Sequence, residues 1–212
     1  ISKPEKMVVD NVQFRLYDSL KLSNLGLSRD AYIAAIKGFN KLRLSGTLHN
    51  ERVLSIVDFS VPSFKKRLFI IDIVSGRLLF NTFVSHGHNS GNEMATKFSN
   101  QFNSLQSSLG FYITGQTYRG QHGTSLRLQG MEKGINDNAF NRGIVMHGAS
   151  YVPNGNTEKL AHVGRSQGCP AIPVNIHRAI IEIIKNGTCL FVYSSDKRYL
   201  AQSKYLQKLH EA

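Results

Sequence analysis

The 212-residue sequence contains no apolar run of membrane-spanning length. Its longest stretches, such as Leu68 to Val74, fall far short of the roughly 20 residues a spanning helix needs, so no segment is expected to cross a bilayer. Cysteine is scarce: Cys169 and Cys189 allow at most one bridge, which excludes a disulfide-built scaffold. Acidic residues are also few, 14 against 26 Lys and Arg, for a formal charge of +12. Such a balance favours a polyanionic or carboxylate-rich partner. Nucleic acid is not the expected one, because the basic residues are scattered, Lys65-Lys66-Arg67 is the only run, and no nucleic-acid-binding motif accompanies it. Neither an internal repeat nor a strand-helix-strand alternation is present, which disfavours a solenoid and a doubly wound α/β sheet. The first residue is Ile1, so the sequence is silent on any leader peptide.

What is present is enough for one packed core, with 41% hydrophobic and 19% charged residues. From Ser28, an N-cap residue, "RDAYIAAIKGFNKL" places Tyr32, Ile36 and Phe39 at helical spacing with Ala35 and Leu42 beside them, and Gly46 supplies the stop. After Asn50 the texture changes to short β-branched and aromatic runs, "VLSIVDF", "RLFIIDIV" and "RLLFNTFV", with Ser75-Gly76 as a hairpin turn. Strand-like pieces recur at "GFYITG", "TSLRLQG", "GIVMHGA" and "TCLFVY", and a long connection runs from Ser85 to Ser108. One helix is expected in the second half, with Pro173 at its first position, a stripe of Ile176, Ile180, Ile183 and Ile184, and Gly187 at its end. The expected architecture is therefore mainly β: a helical segment over 1–49, a β domain over 50–195, and a basic tail over 196–212.

"GRSQGCPAIP", residues 164–173, holds two candidate nucleophiles. Ser166 sits in a G-x-S-x-G pattern, but a nucleophile elbow needs a parallel-sheet strand before it and a helix at once after it, and Pro170 and Pro173 deny that helix. Cys169 is the better nucleophile, since a thiol needs only a histidine or a positive environment to become reactive. "IVMHGASY" ends an apolar strand with His147 followed by Gly148, which suits an imidazole projecting into a cleft. The N–H groups of Gly168 and Cys169 are placed to face a developing oxyanion. Cys189, inside "TCLFVY", reads as a small buried hydrophobe.

These residues resemble the L,D-transpeptidase catalytic domain, or YkuD-like, family, whose signature is a histidine, a gap, and then Ser/Thr-His-Gly-Cys followed by a hydrophobic residue and Arg. Here His147 is followed by eighteen residues and then Ser166-Gln167-Gly168-Cys169-Pro170-Ala171, so Gln167 and Ala171 stand where the family has His and Arg. "GINDNAFNRGIVMHGASY" and "GRSQGCPAIP" are similar to a divergent murein L,D-transpeptidase branch with a GRSxGCPA motif, and the likeness runs over roughly residues 15–200. The resemblance implies a small β-sandwich and an acyl transfer between peptidoglycan stem peptides through a thioester on Cys169, with His147 as base. Transfer to an amine gives L,D-transpeptidation and transfer to water gives L,D-carboxypeptidation. It also implies an exported protein of the periplasm or cell envelope and a carbapenem target, with no cofactor. Ser166, Arg165, Arg127, Tyr112, His86 and Gly148 are the candidate substrate contacts, with Arg165 or Arg127 supplying the charge of the missing arginine. Two other readings compete: a zinc-dependent wall peptidase built on His86, His88, His147, His162 and Cys169, and a non-catalytic wall-binding module on the same fold.

Overall fold

A computed structural model describes residues 15–121, 123–155, 163 and 165–207. Helix α1, Arg29–Leu44, starts where its cap chemistry dictates: the Ser28 side chain accepts the Ala31 N–H, and Ala31, Tyr32, Ala35, Ile36, Phe39 and Leu42 turn inward. It docks on strands β1 (Val53–Asp58) and β8 (Cys189–Tyr193), both fully buried. Asp58 fastens this junction by accepting the Ser28 N–H at 2.9 Å.

Eight strands form one ladder in the order β3-β2-β1-β8-β4-β5-β6-β7, the others being β2 (Leu68–Asp72), β3 (Arg77–Thr82), β4 (Gly110–Gly120), β5 (Gly123–Gly130), β6 (Val145–Ala149) and β7 (Ala171–Pro173). The fold is mainly β, as the run of short apolar segments implies. Asp72 shapes the β2–β3 turn by accepting the N–H groups of Val74 and Ser75, and Gly76 supplies the left-handed residue. Beyond β3 the chain passes the far edge of the ladder: Ser85 N–H donates to Ala171 O, and Gly87 bridges Ser166 in parallel. The segment just past β3 is thereby fastened beside β7.

Two features of β4 and β6 set up the cleft. In β4 the register slips between Thr114 and Thr117, so Gly115 and Gln116 oppose the single residue Arg127. Past this bulge, Tyr118 pairs with Ser125, Ser125 with His147, and His147 with Ala171, one row across four strands. The slip decides which side chains of β4 share the face of His147, since side chains alternate along a strand.

The second helix differs from its expected outline. It spans His177–Ile184 (α2), and Pro173 ends β7 instead of opening the helix. Its buried face is His177, Ile180, Ile181 and Ile184, so Ile181 takes the inward place expected of Ile183, which is exposed. Arg67, the last residue of the basic run, is fully buried, which leaves Lys65 and Lys66 as its exposed part. A third helix, α3 (Lys197–Gln202), is capped by Asp196 and carries Tyr199 into the core. Glu132 anchors this tail, accepting from Phe111 N–H, Tyr199 O–H and the Ser203 hydroxyl. Much of "GMEKGINDNA" is thus scaffold: Asn136 accepts from Glu132 N–H and donates to the carbonyls of Leu109 and Phe111.

Candidate active site

Cys169 lies two residues ahead of Ala171, as Val145 lies two ahead of His147 on the parallel partner strand. The thiol accordingly meets the start of β6: Val145 N–H donates to Sγ at 3.4 Å, and Gly143 O accepts from the thiol at 3.7 Å. His147 occupies the diagonal position on the same face, a spacing that an aromatic ring spans. Both side chains line one open cleft of about 610 Å³, together with His88, Tyr118, Tyr151 and Arg165. Burial pushes the Cys169 thiol above the usual range, while the Val145 N–H and the positive charge of Arg142 pull it back.

The His147 tautomer follows from its neighbour. Nδ1 lies 3.0 Å from Gly148 O, and since a carbonyl only accepts, Nδ1 carries the proton and Nε2 is the basic nitrogen. Gly148 itself faces the other way: an added Cβ would meet the His177 ring on α2 at 2.7 Å. It is not a cleft residue, contrary to expectation.

The loop that carries Cys169 is held by Ser166. Its hydroxyl donates to Cys169 O at 2.6 Å and accepts the Gly168 N–H at 3.1 Å, so it serves as a turn clamp at the cleft wall. The Gly168 N–H, expected in the oxyanion hole, is therefore already engaged. Gly168 is required for another reason: its φ is +123°, and a Cβ would approach Gln106 O to 2.8 Å. Behind it, the Ser107 hydroxyl donates to Gly168 O and accepts from Gly87 N–H, which ties the long connection to the cysteine loop.

Of the remaining candidate contacts, Arg165 lines the cleft and donates to Asn92 Oδ1 at 2.6 Å. Arg127 is exposed and lies over the rings of Tyr118 and Phe140, 4.6 and 5.4 Å from their centroids, outside the cleft lining. Tyr112 is buried beneath the cysteine loop, donating its hydroxyl to Ser108 O. His86 is also buried. Arg67 Nη2 donates to its Nδ1 at 2.8 Å, and Nε2 lies 3.1 Å from Gly91 O, so both nitrogens are taken. Tyr112 and His86 are corrected to structural residues, because their polar atoms are consumed by the protein interior. With both His86 nitrogens engaged, the proposed zinc set loses a ligand; His162 lies outside the described residues, and among these no group of three or more His, Cys, Asp or Glu is placed to hold a metal ion. Sequence reasoning missed Arg142, Ser107 and the Val145 N–H. Their roles depend on partners remote in the chain, and no local pattern announces them.

Fold and site together define a mainly β protein in which a cysteine in the turn before β7 and a histidine on β6 line one cleft. The model of the L,D-transpeptidase catalytic domain matches residues 23–193, and the chain belongs to that family. No curated protein matches it. Among solved structures it is similar to an L,D-transpeptidase from Mycobacterium smegmatis, at 11% identity over 68% of this chain and 59% of that one, with a TM-score of 0.43. L,D-transpeptidase 3 from Mycobacterium tuberculosis with a faropenem-derived adduct gives 11%, 68%, 60% and 0.43. The helical cell shape determining protein Pgp2 from Campylobacter jejuni gives 12%, 68%, 48% and 0.44. The aligned region thus spans about half to three fifths of these proteins' own lengths.

Proposed function

We propose that the protein modifies peptidoglycan by cysteine-dependent acyl transfer on stem peptides. The observation that carries this reading is that Cys169, in the turn leading into β7, and His147, on the parallel partner strand β6, line one cleft. Because burial raises the thiol, the proton leaves as attack proceeds: His147 Nε2 takes it while Sγ bonds to the carbonyl carbon at the L-centre of the stem's third residue. The oxyanion falls to the Cys169 N–H, since Ser166 holds that of Gly168. Collapse breaks the peptide bond, and His147 returns the proton to the departing D-alanine amine, leaving a thioester. An acceptor amine then attacks the thioester and gives its proton to His147, which passes it to the departing sulfur, restoring the thiol and forming a cross-link; water in the same role yields a trimmed tripeptide. Arg165 in the cleft and Arg127 at its edge suit the carboxylates of such a substrate. The cell envelope is the compartment where that polymer lies. No described helix is long and apolar enough to cross a membrane.

The test is incubation with purified disaccharide-tetrapeptide and mass spectrometry of the products. Loss of one D-alanine per stem, alone or with formation of a cross-linked dimer, is expected. An unchanged tetrapeptide, under conditions where the folded protein is verified, contradicts the reading.

A further inference from the structure

Arg142 stands just before β6 and is half-buried, yet it forms no ion pair among the described residues. Its guanidinium instead donates four hydrogen bonds into one loop: to Ser99 O at 2.7 Å, Ser108 Oγ at 2.8 Å, Ser104 Oγ at 3.1 Å and Gln106 O at 2.7 Å. That loop is the one against which the cysteine turn rests. Ser107 holds Gly168 O, and the Gln106 carbonyl lies where a Gly168 Cβ would be. On its other side, Arg142 adjoins Gly143, whose carbonyl accepts from the Cys169 thiol, and precedes by three residues Val145, whose N–H reaches Sγ. One side chain therefore joins the two walls between which the sulfur sits. A planar, permanently charged fork satisfied by neutral acceptors keeps its positive charge uncompensated.

We infer that Arg142 is a positioning residue of the site, clamping the 99–108 loop against the Gly168-Cys169 turn and offering the sulfur an uncompensated positive charge. This rests on Cys169 being the nucleophile. Other groups also face the sulfur: His147 on β6, Tyr151 beyond it, Tyr118 on β4, and His88 and Arg165 across the cleft. The charge of Arg142 lowers the thiol against the rise caused by burial, beside the Val145 N–H.

The test is the pH profile of Cys169 alkylation by iodoacetamide, read by peptide mass spectrometry, with melting temperature in parallel. Arg142→Gln is expected to move the midpoint upward by roughly 1 pH unit. Arg142→Lys keeps the charge without the fork and should fall between that variant and the wild type. Arg178→Gln, which removes an exposed charge on α2, should leave the midpoint in place. A wild-type midpoint in folded Arg142→Gln overturns the inference. If that variant does not fold, Ser104→Ala with Ser108→Ala removes two of the fork's partners while sparing the charge, and an unshifted profile there overturns the clamp. Iodoacetamide needs no wall substrate, so failure on tetrapeptide would refute the proposed reaction and leave this result standing.

Discussion

Two regions of the molecule each bury a histidine beside a strand, and they are put to opposite uses. Around His86 every polar atom is spent inward: Arg67 reaches the ring, the carbonyls of Val84 and Val61 accept from the same guanidinium, and Phe59 lies under it at 4.7 Å. Desolvation, together with Arg67, depresses the His86 pKa to about 4, so the ring is a neutral structural part. Around His147 one nitrogen is fixed by its own strand, and the ring lines open space with a sulfur nearby. Burial alone therefore does not mark the chemistry. What separates the regions is whether the buried ring lines the open cleft.

The largest contrast is expected in rate. His147→Ala should slow acylation of Cys169 by about 100- to 10,000-fold, while His86→Asn should alter it far less than stability; acylation kinetics with a carbapenem read both. Equal losses of rate in the two variants would erase the distinction.

Arg67→Ala is the matching blow to the inward region. It removes donors from two carbonyls and a ring nitrogen and leaves a cavity, so a loss of about 3–5 kcal/mol is expected in urea unfolding. A cost near zero would show that the Arg67–His86 pair holds nothing together.

The same region should make the fold sensitive to acid. His86 has a pKa of 6.5 when unfolded and about 4 when folded, so above pH 6.5 both states are neutral and its full contribution is present. As the pH falls from 6.5 to 4 the unfolded chain binds a proton that the folded one refuses, and stability declines by up to about 3 kcal/mol. Urea unfolding across this window should flatten in His86→Asn relative to the wild type. An identical slope in both would assign the acid sensitivity elsewhere.

The smallest effect belongs to Ser166, which sits at the cleft but spends its hydroxyl on its own turn. Ser166→Ala should cost about 1 kcal/mol per lost bond and leave Cys169 able to form an adduct. Loss of acylation with stability intact would restore the serine as a chemical participant.

How much of this was legible in the sequence follows from the range of the forces involved. Helix α1 could be read because its signals are local: a Ser28 cap and apolar residues one turn apart. The β texture was equally plain, whereas His147 was joined to Cys169 by family resemblance, its spacing alone leaving a core role equally open. β7 was not legible, because three residues, the last of them a proline and with another proline just before, carry no period. The burial of Arg67 was not legible either, since its carbonyl partners are contributed by residues near 61 and 84. Arg142 gave no sign at all, its acceptors lying 34 to 43 positions upstream. Tyr112 and His86 are polar-tipped residues in or beside strands, and what keeps them from the cleft, the interior groups that take up their polar atoms, is not written locally.

Intact-protein mass spectrometry after carbapenem treatment, with peptide mapping, tests the central claim most directly. One adduct per chain on Cys169, lost in Cys169→Ala, is the predicted result. An adduct that persists in Cys169→Ala, or none on the folded wild type, would contradict it.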